Sequence, residues 1–352
     1  MPRLANNKGF EPCPVCLGTE VKSVFSTKTG FSKFHLVQCT GCSLTRTIPF
    51  PNDDILRLHD TAVYYGKKEN KFIPAIETIR NQIMRTRVKH YLSMIPPSVQ
   101  RPKILDVGCA EGRLLKAFVE FGCQCWGVEH PSYPAYRFQD TERIEYFQGD
   151  LARLKLPKGA FDLIFLWHTL EHMDDPQRVI TRLYDLLAPK GVLVVAVPNF
   201  ESIEARKFGR FWFHLDVPWH KFHFNEKSLK LLAAKNELRI VSLSSFSLEQ
   251  APYGLIQSIL NSMGWPRNEF YEFLKGNRMG GRAIQLMLQL WIVMILLIPG
   301  FLVSILSSFD SKGSELRLIL RKEQEGRATH WNHEKNRKIG KRVRDRSAPS
   351  SD

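Results

Sequence analysis

Several signatures that would place this sequence at once are missing from it. No internal repeat is present, which excludes solenoids and propellers. No Gly-Lys-Ser/Thr follows a glycine loop, so a P-loop nucleotide triphosphatase is excluded, and the G-x-G-x-x-G spacing of a dinucleotide fold is absent as well. The N-terminal stretch MPRLANNKGFEPCPVC has no apolar h-region behind its early arginine, so no secretory signal is read there and the cytoplasm is the expected compartment. Acidic side chains are scarce beside basic ones: 35 Asp and Glu face 50 Lys and Arg, a formal charge of +15. That excess admits nucleic acid, an anionic membrane surface or a phosphorylated substrate as partner, and does not choose among them.

What is there suffices for a large domain or two smaller ones, with 352 residues and 43% hydrophobic content. Seven cysteines is an odd number, and four of them fall into two C-x-x-C pairs, which in a reducing compartment point to metal rather than disulfides. Cys13 and Cys16 in CPVC, and Cys39 and Cys42 in CTGC, are separated by a 22-residue gap that reads as a β-hairpin. Two thiolates three residues apart chelate one Zn²⁺ tetrahedrally, and no ligand position is left open, so a zinc ribbon with a structural ion is expected over residues 1–50. Cys109, Cys123 and Cys125 sit in or beside predicted strands and read as packing.

Residues 51–100 are expected to form a helical connector or lid, with Ile73, Ile76, Ile79, Ile83, Val88 and Leu92 at roughly helical spacing. From residue 101 short apolar runs alternate with helical stretches: KILDVGCA, RLLKAFVEFG, CQCWGVEH, IEYFQGD, FDLIFLWHTL, a helix through PQRVITRLYDLLAPKG, then VLVVAVPN. Five buried-type strands with helical crossovers imply an α/β fold with a mostly parallel sheet. ELRIVSLSSF and, far downstream, ELRLILRK are candidates for its last two strands. The expected boundaries are a core over 101–249, an apolar insertion over 250–313, the last strand over 314–322 and a disordered basic tail over 323–352. From Arg321 to Asp352 ten Lys and Arg face five Asp and Glu, with almost nothing apolar.

The strand KILDV runs into GCAEG and then a helix, a setting in which backbone approaches a nucleotide closely. Its small residues are Gly108, Ala110 and Gly112, preceded by Asp106 on the strand. This segment resembles the first motif of class I S-adenosylmethionine-dependent methyltransferases, an acidic residue before a small-residue loop of the form D-x-G-x-G-x-G, with Ala110 in place of the central glycine. The resemblance continues in order over about a hundred residues. It implies a Rossmann-like seven-stranded methyltransferase sheet, S-adenosylmethionine as cofactor, Glu129 on the ribose hydroxyls, Asp150 on the adenine amino group, and Trp167 at the end of the fourth strand among the cofactor residues.

The sulfonium methyl is already electrophilic, so the remaining task is to hold an acceptor in line and remove a proton. The candidates lie in LWHTLEH (His168, Glu171, His172) and LDVPWHKFHFNEKSL (Asp216, His220, His223). A cysteine-rich module, Tyr64 and Tyr65 in VYYG, the methyltransferase core and an H-x-x-x-F segment together resemble methyltransferases of sugar and surface-polysaccharide biosynthesis. In the C-methylating members of that group a Glu-His pair acts, and His220 matches the histidine while Trp219 stands where the glutamate would be. That departure favours transfer to a hydroxyl, with His220 as base, His172 as the second candidate and Tyr64 or Tyr65 closing over the acceptor. The expected acceptor is a sugar or lipid-linked saccharide, with a lipophilic quinone or other lipid as the alternative. An RNA methyltransferase or RNA-binding protein ranks behind these, because WHTLEH replaces the Asp/Asn-Pro-Pro-aromatic turn of amino-methylating DNA enzymes and no catalytic Pro-Cys follows. Nucleic acid is therefore not the expected partner. A non-enzymatic, membrane-associated binding protein is the third reading.

Residues 286–306, LMLQLWIVMILLIPGFLVSIL, have only Gln289 and Ser304 as polar side chains over 21 residues, enough to span a bilayer as a helix. If ELRLILRK is the last strand of the sheet, both ends of the insertion must lie on one face of any membrane. The expectation is a re-entrant hairpin turning near Pro299 and Gly300, or helices lying in the interface, with Arg278 and Arg282 near cytoplasmic headgroups. A true span is the competitor. Nothing in the sequence fixes the oligomeric state.

Overall fold

The fold is that of a computed structural model, in which residues 11–29, 32–51, 74–132, 143–247, 250–274 and 283–323 are described. Strands β1 (Val21–Thr29) and β2 (Ser32–Cys39) form the expected antiparallel hairpin, and β3 (Thr45–Ile48) returns along β2. Alternation along β2 turns Phe34 and Leu36 inward, where they pack on Ala205, Trp212, Leu215 and Val217. The small module therefore buries its apolar face on the main domain and not on a core of its own.

Helix α1 (Pro74–Leu92) crosses one face of the main sheet, and Tyr91 meets Phe165 edge-on with ring centroids 5.0 Å apart. The sheet begins with β4 (Lys103–Val107), followed by α2 (Arg113–Val119), β5 (Gln124–Glu129), β6 (Ile144–Gln148) and β7 (Phe161–Trp167). Helix α3 (Pro176–Leu186) starts with Pro176 in its first turn and an Asp175 side chain that accepts from the Arg178 N–H at 3.0 Å. The helix does not run on through APKG as the sequence suggested, because β8 (Leu187–Pro198) begins at once. Pro189 disfavours helical backbone at Ala188, and the N–H groups of Gly159 and Ala160 take the Asp185 and Leu186 carbonyls instead.

After β8 come α4 (Ile203–Phe208), the two-residue β9 (Phe222–His223), α5 (Glu226–Lys235) behind an Asn225–Ser228 capping box, and β10 (Leu238–Ser244). Three helices follow, α6 (Ala251–Ser262), α7 (Glu269–Leu274) and α8 (Ala283–Ser308), before the final strand β11 (Glu315–Lys322). The strand order is β10-β11-β8-β7-β4-β5-β6, with β8 to β6 parallel and β11 antiparallel to both neighbours. This is the expected seven-stranded methyltransferase sheet. The runs LIFLW in β7 and VLVVAV in β8 are apolar because helices cover both faces of the sheet there. A second sheet, β1-β2-β3-β9, joins the cysteine module to the loop that follows β8.

The expected turn at Pro299 and Gly300 is not present. Helix α8 is continuous over 26 residues, about 39 Å, with Pro299 inside it. A helix tolerates one lost N–H donor, and α6 packs on Gly300 through Leu255 and Ile256. The hairpin of the insertion is made instead by α6 and α7 together against α8, and Arg278 and Arg282 lie outside the described residues. The polarity of α8 is inverted. Gln289 and Ser304 are 1% and 2% exposed, while Ile284, Trp291, Met294, Ile298 and Leu306 are 78%, 68%, 76%, 71% and 68% exposed. Inside, Gln289 donates to Glu269 at 2.7 Å, and Gln257 donates to Asn261 at 3.0 Å.

The insertion leaves and returns at one knot. Ser245 Oγ donates to the Ser308 carbonyl at 2.9 Å, and Asn199 Nδ2 donates to the Gly313 carbonyl at 2.8 Å. A Cβ on Gly313 would lie 1.9 Å from the Ser245 carbonyl oxygen, which is backbone and has no rotamer with which to retreat. Gly313→Ala is therefore expected to destabilise the fold by about 2 kcal/mol or more in chemical denaturation, while Gly264→Ala, with open space around it, produces no such clash.

Candidate active site

Parallel strands β4, β5, β7 and β8 end at one edge, and the loops that follow them meet there. The loop between β4 and α2 turns tightly through left-handed backbone at Gly108 (φ 78°), Ala110 (φ 48°) and Gly112 (φ 71°). Ala110 occupies a conformation that suits glycine better, so the missing third glycine is tolerated at a cost of roughly 1 kcal/mol. Gly108 has a second reason to be glycine: a Cβ there would stand 2.2 Å from Thr169 Oγ1 in the loop after β7. Glu129, at the end of β5, holds the loop, accepting from Ala110 N at 2.7 Å and from His130 N at 2.8 Å. Asp106 is buried beneath it. Burial first, and the Glu129 carboxylate second, push the Asp106 carboxyl up to about 7.

The other two expected cofactor residues are less enclosed. Asp150 follows β6, caps a turn by accepting from Ala152 N at 2.9 Å, and lies 3.5 Å from Arg153. Trp167 ends β7 with its ring under the Arg87 guanidinium, 4.2 Å from the centroid. Tyr64 and Tyr65 lie outside the described residues.

The histidines gather on the next loops. A single helical turn, Leu170–His172, carries Glu171 and His172, and the segment after α4 brings Asp216 and His220 to face it. His220 Nε2 lies 3.9 Å from both Glu171 Oε1 and Asp216 Oδ2, and the His172 and His220 rings meet edge to face at 4.8 Å. The carboxylate that the sequence lacks beside His220 thus arrives from another segment, as Glu171. Strand pairing of β3 with β9 holds this region from behind: Thr47 Oγ1 donates to the His220 carbonyl at 2.8 Å and sits 3.0 Å from His223 Nε2.

The sequence gave no sign of Glu315. It is the first residue of β11, opposite Pro198, so an antiparallel strand delivers its side chain to the edge where the parallel strands end. His168, itself at φ 50°, lies between Glu315 at 2.9 Å and Glu171 at 3.5 Å. Burial opposes a charge on His168, but the flanking Glu171 and Glu315 carboxylates outweigh it and raise its pKa to about 10. Burial likewise opposes a charge on Glu315, yet the bond to His168 holds it below the usual carboxylate range. With His168 Nε2 donating to Glu315, the Gln250 side chain 2.8 Å away fits with its amide oxygen toward the ring. Three buried histidines around it are neutral. Burial pushes His220 well below its ordinary value and takes His214 and His223 to about 3.

The four cysteines of the N-terminal module also come together. Cys13 and Cys42 Sγ are 3.5 Å apart, Cys16 and Cys39 3.3 Å, and all four Sγ lie within 4.8 Å of one another. Tetrahedral Zn²⁺ with bonds of about 2.3 Å holds its sulfurs roughly 3.7 Å apart, so the set fits that ion. The hydrogen bond with Cys42 is the largest influence on the Cys13 thiol and pulls it down to about 5, while the same bond pushes Cys42 up and burial pushes Cys16 up.

Residues 79–243 match the family described as a methyltransferase domain. Among curated proteins, the chain is 25% identical over 124 residues to a probable S-adenosylmethionine-dependent methyltransferase of Mycolicibacterium smegmatis, covering 35% of this chain and 45% of that one. It is 32% identical over 106 residues to a ubiquinone biosynthesis O-methyltransferase of Psychrobacter arcticus, covering 28% and 41%. The chain thus spans less than half the length of these relatives. A crystal structure of an S-adenosylmethionine-dependent methyltransferase from Archaeoglobus fulgidus superposes with a TM-score of 0.43 at 15% identity, over 69% of this chain and 94% of that one. The chain carries a class I S-adenosylmethionine-dependent methyltransferase domain.

Burial of Asp106 beneath the loop is expected to make cofactor binding pH-dependent. S-adenosylmethionine brings cationic sulfonium and ammonium groups, which favour the ionised carboxylate, so its affinity is expected to rise as pH passes upward through about 7. Calorimetry across that range is expected to show proton release on binding, and Asp106→Asn to flatten the dependence.

Proposed function

We propose that the protein transfers the methyl group of S-adenosylmethionine to a hydroxyl of an acceptor carried in a membrane, from the cytoplasmic side. The observation that carries this reading is the inverted polarity of α8, which turns Ile284, Trp291, Met294, Ile298 and Leu306 outward and Gln289 and Ser304 inward. A helix in water is arranged the other way. The stretch Ile284–Ser308, with mean hydropathy 2.5, is long and apolar enough to cross a bilayer, but the single knot at Ser245, Ser308 and Gly313 keeps both ends of the insertion together. The hairpin of α6, α7 and α8 therefore inserts into or lies on one leaflet, and holds the active-site edge against it.

S-adenosylmethionine supplies an electrophilic methyl when bound. Asp106, Gly108, Ala110, Gly112, Glu129 and Asp150 hold it, with Trp167 beside them, and the neutral His220, backed by His172 and Glu171, stands where the acceptor hydroxyl gives up its proton. Relatives named for ubiquinone O-methylation and sterol methylation act on lipids, which favours a lipophilic acceptor. A lipid-linked saccharide satisfies the same geometry, whereas a free sugar gives α8 no role. Zn²⁺ at Cys13, Cys16, Cys39 and Cys42 serves as a structural ion that fixes the β3 edge on which β9 is paired.

With vesicles of total lipid extract and methyl-labelled cofactor, label is expected to enter the organic phase. His220→Ala is expected to lower that rate about a hundredfold or more while cofactor affinity holds. Label confined to water-soluble product, or undiminished turnover in the variant, would overturn the assignment. Chelation of the cysteine site is expected to release one zinc per chain and to lower turnover with it, since Thr47 ties that module to His220 and His223.

A further inference from the structure

Glu171 is 1% exposed, and among the described residues neither of its carboxylate oxygens has a hydrogen-bond partner. An ionised carboxylate left in that state is costly, and the nearest cation, His168, stands 3.5 Å off while engaging Glu315 at 2.9 Å. Two imidazoles share the space with it. Glu171, His172 and His220 each present one ligand atom within 4.8 Å of the others, and the Asp216 carboxylate lies 3.9 Å from His220 Nε2.

We propose that Glu171, His172 and His220 form a binding site for a divalent transition-metal cation beside the acceptor, separate from the cysteine site. The second sphere is already built. His172 Nδ1 donates to the Trp219 carbonyl at 2.9 Å, which fixes the orientation of the ring. His220 is held through its main chain on both sides, its N–H on the Asp216 carbonyl at 2.9 Å and its own carbonyl on Thr47 Oγ1 at 2.8 Å. Its burial keeps the ring neutral, the form that binds metal.

Two imidazoles and a carboxylate suit zinc, iron, cobalt or manganese in the divalent state rather than magnesium or calcium. A tetrahedral ion with bonds of about 2.1 Å spaces its ligands roughly 3.4 Å apart, so the three side chains draw in by about an ångström on loading. Three protein ligands leave a position open for an acceptor oxygen, and a hydroxyl bound there loses its proton more readily. With the ion bound, His220 acts on the acceptor as the ion's ligand, in place of the base role it has in the metal-free site. The site rests on the proposed function only in where it puts the acceptor. Metal binding itself needs neither cofactor nor turnover.

The test is titration of the metal-free full-length protein with Co²⁺, read by absorption. Two equivalents are expected, one with the thiolate charge-transfer band of the cysteine site and one without it. Glu171→Gln and His172→Gln are each expected to weaken the second equivalent about a hundredfold and to leave the thiolate band in place, which also reports that the fold survives. X-ray absorption of the wild-type protein at the second equivalent reads the ligands with no substitution at all, and imidazole scattering without sulfur is expected. A single equivalent, or a second one that shows sulfur ligation or persists unchanged in both variants, would overturn the site. Failure of methyl transfer to lipid, measured separately, would refute the proposed acceptor and leave the metal count standing.

Discussion

Strand β11 has to lie between β8 and β10, and most of the molecule's character depends on that constraint. It is antiparallel to both neighbours, so its first residue, Glu315, reaches the edge where the parallel strands end, and the chain before it must come home to the same point. Everything from Phe246 to Lys312 is consequently a loop with its ends tied together, however long and apolar it is. A helix of membrane-spanning length becomes one arm of a hairpin. The same strand places the Glu315 carboxylate on His168 and so fixes one charged histidine beside the neutral His214, His220 and His223.

That division of charge gives the site its chemical sense. His168 keeps its proton because two buried carboxylates flank it, and it cannot serve as a base near neutral pH. His220, with no such bond, stays unprotonated and available. The two lie on either side of Glu171, which therefore links a fixed ion pair to a group free to act. The cysteine module takes part in this arrangement from behind. Its strand β3 pairs with β9, so a domain that the sequence separates from the core by some fifty residues contributes Thr47 to the support of His220 and His223.

Local chemistry made much of this legible. Strand runs such as VLVVAV are apolar because two helical layers cover them, and that requirement is written in consecutive residues. The loop glycines stand where backbone turns left-handed, and the cysteine pairs stand where thiols converge. What escaped was non-local. Glu315 meets His168 across 147 residues, and Glu171 meets His220 from a different loop, so the Trp219 substitution misled by suggesting that no carboxylate was near. Pro299 and Gly300 misled in the opposite way. Their composition reads as a break, yet a long apolar helix with a partner packed on its glycine carries one missing hydrogen bond without turning.

An α8 that lies in lipid is what brings the site to its acceptor, and Trp291, 68% exposed in the first half of that helix, reports on this directly. Its fluorescence should be measured in vesicles whose acyl chains carry bromine, with Trp291→Phe as the reference. Quenching that disappears in the Trp291→Phe protein is the result predicted. Equal quenching in the two proteins, or none in either, would contradict it and return the exposed apolar face of α8 to a role away from the membrane.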